Sequence, residues 1–391
     1  MKILFLTYQI AGQGGSYVRS FSLARQLVRL GHKVTLIASR STPGLGKRIS
    51  SVDGVRQIEM PDLMPRRVRH GGLSPFDILF RCIWIFLSER FDVIHTFEHR
   101  PAVMLPALIG QRAKGAILVS DWADLWGHEG IAAERSSSLE RILGQADDFF
   151  ETRVRLWVDG VTAISSDLDR RLDQMGVPKS QHMVLPPGAN LDLIQPVDKQ
   201  EARTKFGLPM GAPIVGFSGY APYDEAFLSQ SILDILRKDP DVMVISSGTV
   251  VEHLAKTAEQ EGLADRLVQY GPLPLIKNGL LLGAADVLLL PYLNKPINRG
   301  RFPNKFGDFL AAGRPIVSHP TGDLGELIAR ENLGILSSEL PEQFAEDVLQ
   351  LLHSPDEAQR MGENARRFAE RHWSWALRAQ QVSDFYACLR S

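Results

Sequence analysis

The sequence has few cysteines and lacks long apolar runs. Cys82 and Cys388 are the two cysteines in 391 residues, too few for a disulfide framework or a structural zinc cluster, which favours a reducing, cytoplasmic location. No apolar stretch reaches the roughly 18 residues typical of a membrane-spanning helix. The short apolar run after Lys2 predicts a strand and is too short for a signal-peptide core.

Several cofactor and catalytic motifs are also absent. We find no P-loop, no zinc-type His/Cys pattern and no Ser-His-Asp pattern, and we expect no metal and no cofactor. The loop after the first strand has Gly12, Gly14 and Gly15, but Tyr17 stands where a dinucleotide fingerprint needs glycine, and the second strand leads to Arg40 instead of an acid. A nicotinamide oxidoreductase is therefore disfavoured. The glycine turn either lets the backbone approach a ligand or is simply a tight connection.

The near-zero net charge of −1 hides an asymmetry. Residues 1–120 hold 17 Lys+Arg against 7 Asp+Glu, whereas residues 191–391 hold 20 against 26. A basic N-terminal third favours an acidic partner or surface. We expect no nucleic-acid partner.

One segment of this basic part is unusually apolar. Residues 76–91, FDILFRCIWIFLSERF, are apolar around most of a helix and include Arg81 and Arg90, and an arginine cluster at 66–69 precedes them. Such a helix either lies in a membrane interface or packs against a sheet. The first alternative predicts peripheral contact with the inner face of the membrane.

Short apolar runs alternate with helical patterns in both halves of the chain. Residues 16–32, for example, are apolar at helical spacing and end near Gly31. This alternation predicts an α/β protein with two doubly wound parallel sheets. The Pro- and Gly-rich stretch 185–197 lacks helical period and is the best linker. The predicted strands are 2–6, 33–38, 93–95, 117–120 and 161–164, then 214–217, 242–246, 267–270, 287–290 and 316–317.

Residues 291–317 gather cations in front of a predicted helix. The helix is expected to begin at Pro303 and to end at Gly313. Free N–H groups and the helix dipole add to the side-chain charges, which favours a diphosphate, and an acid one turn later can accept hydrogen bonds from sugar hydroxyls. The alternative is a solvated basic loop before an ordinary helix. The polar residues concerned are Lys295, Arg299, Arg301, Asn304, Lys305 and Asp308.

Further polar and aromatic side chains follow two predicted strands. Asp121 and Asp124 can position a substrate hydroxyl, and Trp122 or Trp126 can stack on a sugar; alternatively, Asp121 caps a helix and Trp126 packs in the core.

Three residues near another strand end are weaker candidates for the same rim. His95, Glu98 and His99 lie there, although a histidine at a strand end is more often a satisfied core residue. Glu151 is expected to be a surface helix charge.

In order and spacing, several segments resemble the retaining GT-B-fold glycosyltransferases of family 4, also called glycosyl transferases group 1. The resemblance spans nearly the whole chain. It is carried by MKILFL, GHKVTLIAS, DVIHT, DGVTAISSDLDRRLDQMGV, LPPGANLDLIQP, AADVLLLPY, FPNKFGDFLAAGRPIV and HWSWALRAQQVSDFY.

The resemblance implies two Rossmann-like domains facing a cleft: residues 1–188 with the helix 374–391 packed back, and residues 189–373. It also implies transfer of a sugar, with retention, from a nucleotide-diphosphate sugar held by the C-terminal domain to an acceptor hydroxyl held by the N-terminal domain. We expect a glycan or lipid-linked acceptor in cell-surface polysaccharide or glycolipid synthesis.

The resemblance assigns roles to individual residues. The expected catalytic residues are Asp121, Arg301 and Lys305. The expected diphosphate and ribose contacts are Gly15, Arg299, Arg301, Asn304, Lys305 and Asp308, and those near the base are Gly248, Thr249, Gly271 and Leu273. The expected acceptor-side residues are His95, Glu98, Trp122 and Asp124.

Two departures from the family pattern leave alternatives open. Counting back from Asp308, Gly300 stands where the first Glu of the family's Glu-x7-Glu motif belongs. The loop 218–227 has Asp224 and Glu225 where family members usually carry cations. The alternatives are a non-catalytic nucleotide-sugar or glycan-binding protein on a decayed transferase scaffold, and a sugar-nucleotide epimerase.

Overall fold

The computed structural model describes residues 1–127, 129–134, 138–219 and 222–390. They form two compact α/β units, each built on its own sheet, and this confirms the predicted fold class. Unit 1 comprises Met1–Pro187, Arg299–Asn304 and the chain from Trp375 onward. Unit 2 comprises Gly188–Asn298 and Lys305–Ser374.

The strands are short and mostly buried, as expected for sheets covered by helices on both faces. In unit 1 the described strands are β1 (Lys2–Ile10), β2 (Lys33–Ser39), β3 (Arg48–Val52), β4 (Val55–Glu59), β5 (Val93–Phe97), β6 (Ile117–Trp122), β7 (Gly160–Ala163) and β8 (His182–Val184). In unit 2 they are β9 (Ile214–Ser218), β10 (Met243–Ser247), β11 (Leu267–Gln269), β12 (Val287–Leu289), β13 (Ile316–Ser318) and β14 (Gly334–Leu336).

Most of the helices lie between successive strands, and the last three follow the final strand. They are α1 (Gly15–Arg29), α2 (Arg66–His70), α3 (Pro75–Leu87), α4 (Pro101–Lys114), α5 (Ser138–Arg155), α6 (Ser166–Gln174), α7 (Lys199–Phe206), α8 (Glu225–Lys238), α9 (Glu252–Gln260), α10 (Leu275–Ala284), α11 (Pro296–Arg299), α12 (Lys305–Ala312), α13 (Gly322–Glu331), α14 (Pro341–Leu352), α15 (Pro355–His372) and α16 (Trp375–Arg390). Short 3₁₀ turns cover Lys179–Gln181, Pro222–Asp224 and Ala264–Arg266.

Both sheets have doubly wound order. Within the described residues, unit 1 has the order β3-β4-β2-β1-β5-β6-β7-β8, in which only the β3–β4 edge is antiparallel. Unit 2 is wholly parallel, with the order β11-β10-β9-β12-β13-β14. In such sheets ligands bind outside the carboxyl ends of the strands, next to the point where the order reverses. This places the search for a site after β1 and β5 in unit 1 and after β9 and β12 in unit 2.

The last helix completes the core of unit 1. Trp375, Val382 and Tyr386 of α16 are buried in one apolar cluster with Phe5 of β1 and Leu23 of α1. The Tyr386 hydroxyl also lies 2.5 Å from His95 Nδ1 on β5. The helix predicted at the end of the chain is therefore an integral part of this unit.

Four strands and one helix start differ from the sequence predictions. The strands β3, β4, β8 and β14 were not predicted. β8 and β14 have three residues each, β3 is exposed throughout, and polar Arg56 and Gln57 interrupt the apolar residues of β4. The helix expected to begin at Pro303 begins at Lys305. Within the described part of the chain, none of the helices is both long enough and apolar enough to cross a membrane.

Candidate functional site

Three glycines line the carboxyl ends of neighbouring strands in unit 2. Gly219, Gly248 and Gly271 follow β9, β10 and β11, and each has a positive φ, of 57°, 92° and 68°. The Gly219 N–H donates to Ser247 O at 2.9 Å, and the Gly248 N–H donates to Gly271 O at 2.8 Å. A Cβ at Gly248 would lie only 3.0 Å from the Gly219 nitrogen. Glycine is thus required here, and it leaves the backbone open to close approach by a ligand.

Lys305 brings a cation to the same place. It is the first residue of α12, and its Nζ donates to Gly219 O at 2.8 Å. Gly307, two residues later, lets α12 pack on the preceding segment, because a Cβ there would lie 2.5 Å from Gly188 O. The structure therefore brings together Lys305, Gly248 and Gly271, three of the residues predicted from the sequence, and it adds Gly219, which was not predicted.

Asp308 lies one turn into α12. Burial raises the pKa of its carboxyl group to about 7, with only a weak opposing effect from Asn190, whose Nδ2 is 3.4 Å from Asp308 Oδ1. This carboxylate has few protein donors, so hydroxyl groups of a ligand would stabilise its ionised form.

The other residues predicted on this side lie beside the glycines in sequence. Thr249 is exposed after Gly248, and Leu273 is half-buried after Gly271. Asp224, one of the two acids in the loop where cations were expected, is buried and accepts hydrogen bonds from the Asn298 side chain at 3.2 and 3.3 Å. Its charge is therefore engaged within unit 2. Residues 220 and 221 of that loop lie outside the described residues.

In unit 1 the glycine loop after β1 forms the start of α1. Gly14 has a φ of 86° and precedes the helix, and Gln9 Oε1 accepts a hydrogen bond from the Tyr17 N–H at 3.1 Å. The Asn304 side chain donates to Gly15 O at 3.1 Å. Asn304 and Gly15, both predicted to contact the donor, are thus neighbours in unit 1.

Asp121 is held by a buried arginine. Its carboxylate oxygens are each 2.8 Å from Arg19 Nε or Nη2, and the Thr162 hydroxyl donates to it at 2.6 Å. Burial alone would raise the pKa of Asp121, but Arg19 and these hydrogen bonds hold that pKa below its ordinary value. Asp121 is fully buried. Its most direct effect is to balance the buried positive charge of Arg19 in the interior of unit 1.

Asp124 and Arg301 of unit 1 carry opposite charges that interact with each other. Burial raises the pKa of Asp124 to about 6, while the Arg301 guanidinium opposes that rise. Arg301 and its neighbour Arg299 are both partly exposed. The segment 299–304 packs within unit 1, although the sequence division places it in the C-terminal domain.

Glu98 has the most unusual geometry of the candidates. It follows β5 with a φ of +77°, a region that disfavours side chains other than glycine, and it is fully buried. Its Oε2 accepts a hydrogen bond from Trp126 Nε1 at 3.0 Å, whereas Oε1 has no hydrogen-bond partner. Burial, followed by the nearby Asp124, raises the pKa of Glu98 well above its ordinary value. This environment favours the protonated form of Glu98, and its Oε1 is left without a hydrogen-bond partner.

Three sequence interpretations need correction. His95 is fully buried between Tyr386 and Thr162, and burial lowers its pKa to about 3, so it belongs to the core. Trp122 is buried, and its indole donates to Glu151 Oε1 at 2.6 Å, so its face is not available to a sugar. Glu151 is itself buried and accepts hydrogen bonds from the Trp126 and Gly127 N–H groups, so the expected surface charge was wrong.

Gly300, at the position where the resemblance implied a Glu, is closely packed within unit 1. A Cβ at position 300 would lie 2.9 Å from Leu125 Cβ and 3.5 Å from Leu168 Cδ2. The backbone is packed too closely there for a side chain. Arg19 and Gly219 are further site residues that the sequence did not reveal, because neither belongs to a recognisable motif.

Comparisons with known proteins agree with this architecture. Residues 14–188 match the model of the glycosyl transferase 4-like domain, and residues 212–354 match that of the glycosyl transferases group 1. A D-inositol 3-phosphate glycosyltransferase of Corynebacterium diphtheriae is 24% identical over 407 residues, covering 95% of this chain and 89% of the relative.

Solved structures show the same fold. The sucrose-phosphate synthase of Thermosynechococcus elongatus superimposes with a TM-score of 0.80 at 18% identity, covering 100% of this chain and 99% of that one. Anabaena HepE in complex with UDP-glucose superimposes with a TM-score of 0.74 at 17% identity and 99% coverage of both chains.

The two sheet-based units thus have the GT-B fold, and the two matching domain models, which together cover most of the chain, define a glycosyltransferase. Within that class, residues 212–354 form a glycosyl transferases group 1 domain and residues 14–188 a glycosyl transferase 4-like domain, in agreement with the resemblance, and the chain is a transferase enzyme.

Proposed function

We propose that this enzyme transfers a sugar from a nucleotide-diphosphate sugar to an acceptor hydroxyl, with retention of the anomeric configuration. The observation that carries the proposal is the convergence of Lys305 with Gly219, Gly248 and Gly271 at the carboxyl ends of the unit 2 strands. Open backbone beside a cation at a helix start suits a phosphate group. That HepE has been solved with UDP and with UDP-glucose supports this choice of donor.

In this proposal unit 2 holds the donor. Lys305 and the first N–H groups of α12 contact the diphosphate, and Asp308 accepts hydrogen bonds from the ribose. Gly248, Thr249, Gly271 and Leu273 lie near the base. Arg299, Arg301, Asn304 and Gly15 remain predicted diphosphate contacts.

The proposed reaction breaks the bond between the anomeric carbon and the leaving phosphate oxygen. Lys305 and Arg301 stabilise the charge that develops on the diphosphate. The acceptor hydroxyl attacks from the same face and gives its proton to the departing oxygen, which leaves a nucleoside diphosphate and the new glycoside. The proposal includes no metal and no cofactor, so transfer should be unaffected by EDTA.

Unit 1 holds the acceptor in this proposal. Glu98 and Asp124 are the two acceptor-side acids that lie close to Trp126 and Arg301. His95 and Trp122 belong to the core of this unit, and Asp121 is paired there with Arg19. The basic N-terminal third is consistent with a glycan or lipid-linked acceptor at the inner face of the membrane, in cell-surface polysaccharide or glycolipid synthesis.

The test begins with the donor. Thermal shift and calorimetry against UDP, GDP and ADP and their sugars should identify one base that stabilises the protein, because a ligand of the native state raises its melting temperature. Lys305→Ala should weaken that binding at least tenfold, as expected for the loss of a charge-assisted contact. The control, Lys256→Ala, removes an exposed cation of α9 and should change nothing.

Transfer itself is then measured with the selected donor and a panel of acceptors that includes inositol phosphate, the compound in the relatives' name. NMR of the product gives the anomeric configuration. Inversion would refute retention. Donor binding with neither transfer nor hydrolysis would favour a glycan-binding protein, and a C2-inverted nucleotide sugar as product would favour an epimerase.

A further inference from the structure

We propose that the outer face of α3 and α4 in unit 1 is a docking surface for an anionic lipid bilayer. The inference deepens the proposed function. It rests on that function only for the role of the surface, which is to bring the enzyme to a lipid-borne acceptor. The surface itself is argued from exposure, packing and charge.

The α3 helix is apolar on the face that it turns outward. Phe76, Leu79, Ile83, Phe86 and Leu87 are all exposed, Phe86 by 59% and Leu87 by 75%. Their spacing puts them within about 100° of arc on one side of the helix, at 100° per residue. A globular protein does not usually leave five large apolar side chains together in water, so this face indicates a partner.

The opposite face of α3 explains why the sequence was ambiguous. Asp77, Arg81 and Ile85 lie at i, i+4 spacing and are buried. Arg81 Nε is 2.8 Å from Asp77 Oδ1, and Arg81 Nη1 also donates to Thr7 O at 2.9 Å on β1. The charged residues therefore anchor the helix to the sheet while its apolar residues point away. This is the reverse of an ordinary amphipathic surface helix.

The α4 helix continues the same surface. A Cβ at Gly110 would lie 3.1 Å from Ile85 Cγ2, so the two helices pack in direct contact. At their carboxyl ends, Lys114 Nζ donates to Ser88 O at 3.0 Å. Leu105 is exposed on α4, and Arg112, seven residues later, is exposed on the same side.

The charge around this face has one sign. Arg66 and Arg67 on α2 are exposed at one end of α3, and Arg90 is exposed at the other. Arg90 lies next to the end of α4, since its Nη2 is 3.6 Å from the position of a Cβ at Gly115. Arg112 adds a fourth exposed cation.

The acids of residues 63–114 do not offset these cations. Asp77 and Glu98 are buried, Glu89 is paired with Lys2 at 2.6 Å, and Asp92 is paired with Arg390 at 3.6 Å. Exposed apolar side chains bordered by arginine fit the interface of a membrane with anionic headgroups. A second protein would leave this uniform positive rim uncompensated unless it were acidic.

The experiment is vesicle co-sedimentation of the full chain without donor. The wild type should bind vesicles of phosphatidylcholine with phosphatidylglycerol, and bind vesicles of phosphatidylcholine alone more weakly. High ionic strength should weaken the first interaction, because salt screens the arginines. Leu79→Ser/Phe86→Ser should reduce binding at least tenfold. Arg67→Gln/Arg90→Gln should reduce it on anionic vesicles only, by about fivefold per arginine.

Matched controls separate docking from general surface effects. Ile276→Ser/Leu340→Ser removes two residues of unit 2 that are 63% and 66% exposed, and Arg330→Gln/Arg360→Gln removes two exposed arginines of unit 2. Both controls should bind vesicles like the wild type. Equal loss in the controls, or no wild-type binding to either vesicle, would overturn the proposal.

Two further measurements distinguish the remaining outcomes. Sedimentation velocity tests whether the face instead joins two copies of the chain; a dimer that Leu79→Ser/Phe86→Ser dissociates, without vesicle binding, would overturn docking. Nucleoside diphosphate binding is measured on the same variants in the absence of lipid. If nucleoside diphosphate binding persists while vesicle binding fails, only the docking surface is refuted. If vesicle binding persists while nucleoside diphosphate binding fails, only the donor proposal is refuted.

Discussion

Arg19 and Asp121 form a two-point ion pair in the interior of unit 1, with both N–O distances at 2.8 Å and both side chains essentially inaccessible to solvent. The arginine comes from α1 and the acid from the end of β6, so the pair joins a helix of unit 1 to its sheet. A third contact, from Arg19 Nη2 to Leu185 O at 2.6 Å, extends it to the segment after β8.

Breaking this pair should destabilise the protein strongly. Asp121→Asn leaves a buried guanidinium without its counter-charge, which costs about 3–5 kcal/mol. Urea unfolding of the variant measures this. Glu201→Gln, which breaks the exposed Lys205–Glu201 pair, is the control and should cost less than about 1 kcal/mol. If Asp121→Asn kept wild-type stability and lost only transfer, Asp121 would have to act directly on the substrate.

Asp308 should make stability fall as the pH rises. Its pKa is about 7 in the folded protein and about 4 in an unfolded chain, so between these values the native state holds a proton that the unfolded state does not. Its contribution to stability is therefore fully present below about pH 4 and is lost as the pH rises through 7. Asp308→Asn should remove this decline. The measurement is the free energy of unfolding of both proteins from pH 4 to pH 8; parallel curves would contradict the assignment.

Glu98→Gln should separate structure from acceptor binding. Glutamine keeps an acceptor for Trp126 Nε1 and carries no charge, and burial already disfavours the charged form of Glu98 by raising its pKa. Stability should therefore stay within about 1 kcal/mol of wild type. Once an acceptor is known, the substitution should raise the acceptor KM and leave the donor KM unchanged. An unchanged acceptor KM would exclude Glu98 from that site.

Restoring the family's Glu at position 300 should harm this protein. Gly300→Glu forces a side chain against Leu125, and overpacking of this kind costs about 1–3 kcal/mol. Gly211→Glu is the control, because a Cβ there meets nothing within 4 Å. Thermal melts of both variants provide the comparison. A Gly300→Glu protein with wild-type stability and faster transfer would show that the missing Glu is a lost catalytic group.

The repeating apolar runs were sufficient to predict the two parallel sheets. β1, β2, β5, β6 and β9 were found because buried parallel strands consist of continuous apolar residues. β3 was missed because it lies at an exposed edge, where the sequence carries no apolar signal. The predicted strands other than β1 were located to within two residues at each end, whereas β8 and β14, the last strand of each sheet, were not predicted.

The candidate site was only partly predictable. Lys305 was found because a cation at a helix start has a local signature, whereas Gly248 and Gly271 were implied by the family resemblance and Gly219 was missed. Glu151 was misjudged, and the burial of Arg81 was not foreseen, because charged residues are usually exposed and their burial depends on hydrogen-bond partners that the sequence pattern does not reveal. Trp122 and Gly127 provide the hydrogen bonds of Glu151, and Asp77 and Thr7 those of Arg81.

The position of α16 has a consequence for how the chain is made. Trp375 and Tyr386 complete a core whose other residues precede Pro187, so unit 1 cannot close its core until the ribosome has synthesised all of unit 2. Until then, the core side chains of β1 and α1 that pack with α16 remain open to solvent, a state that is prone to aggregation. Unit 2 therefore has the opportunity to fold first, and α16 peptide added in trans should rescue a chain truncated after Ser374.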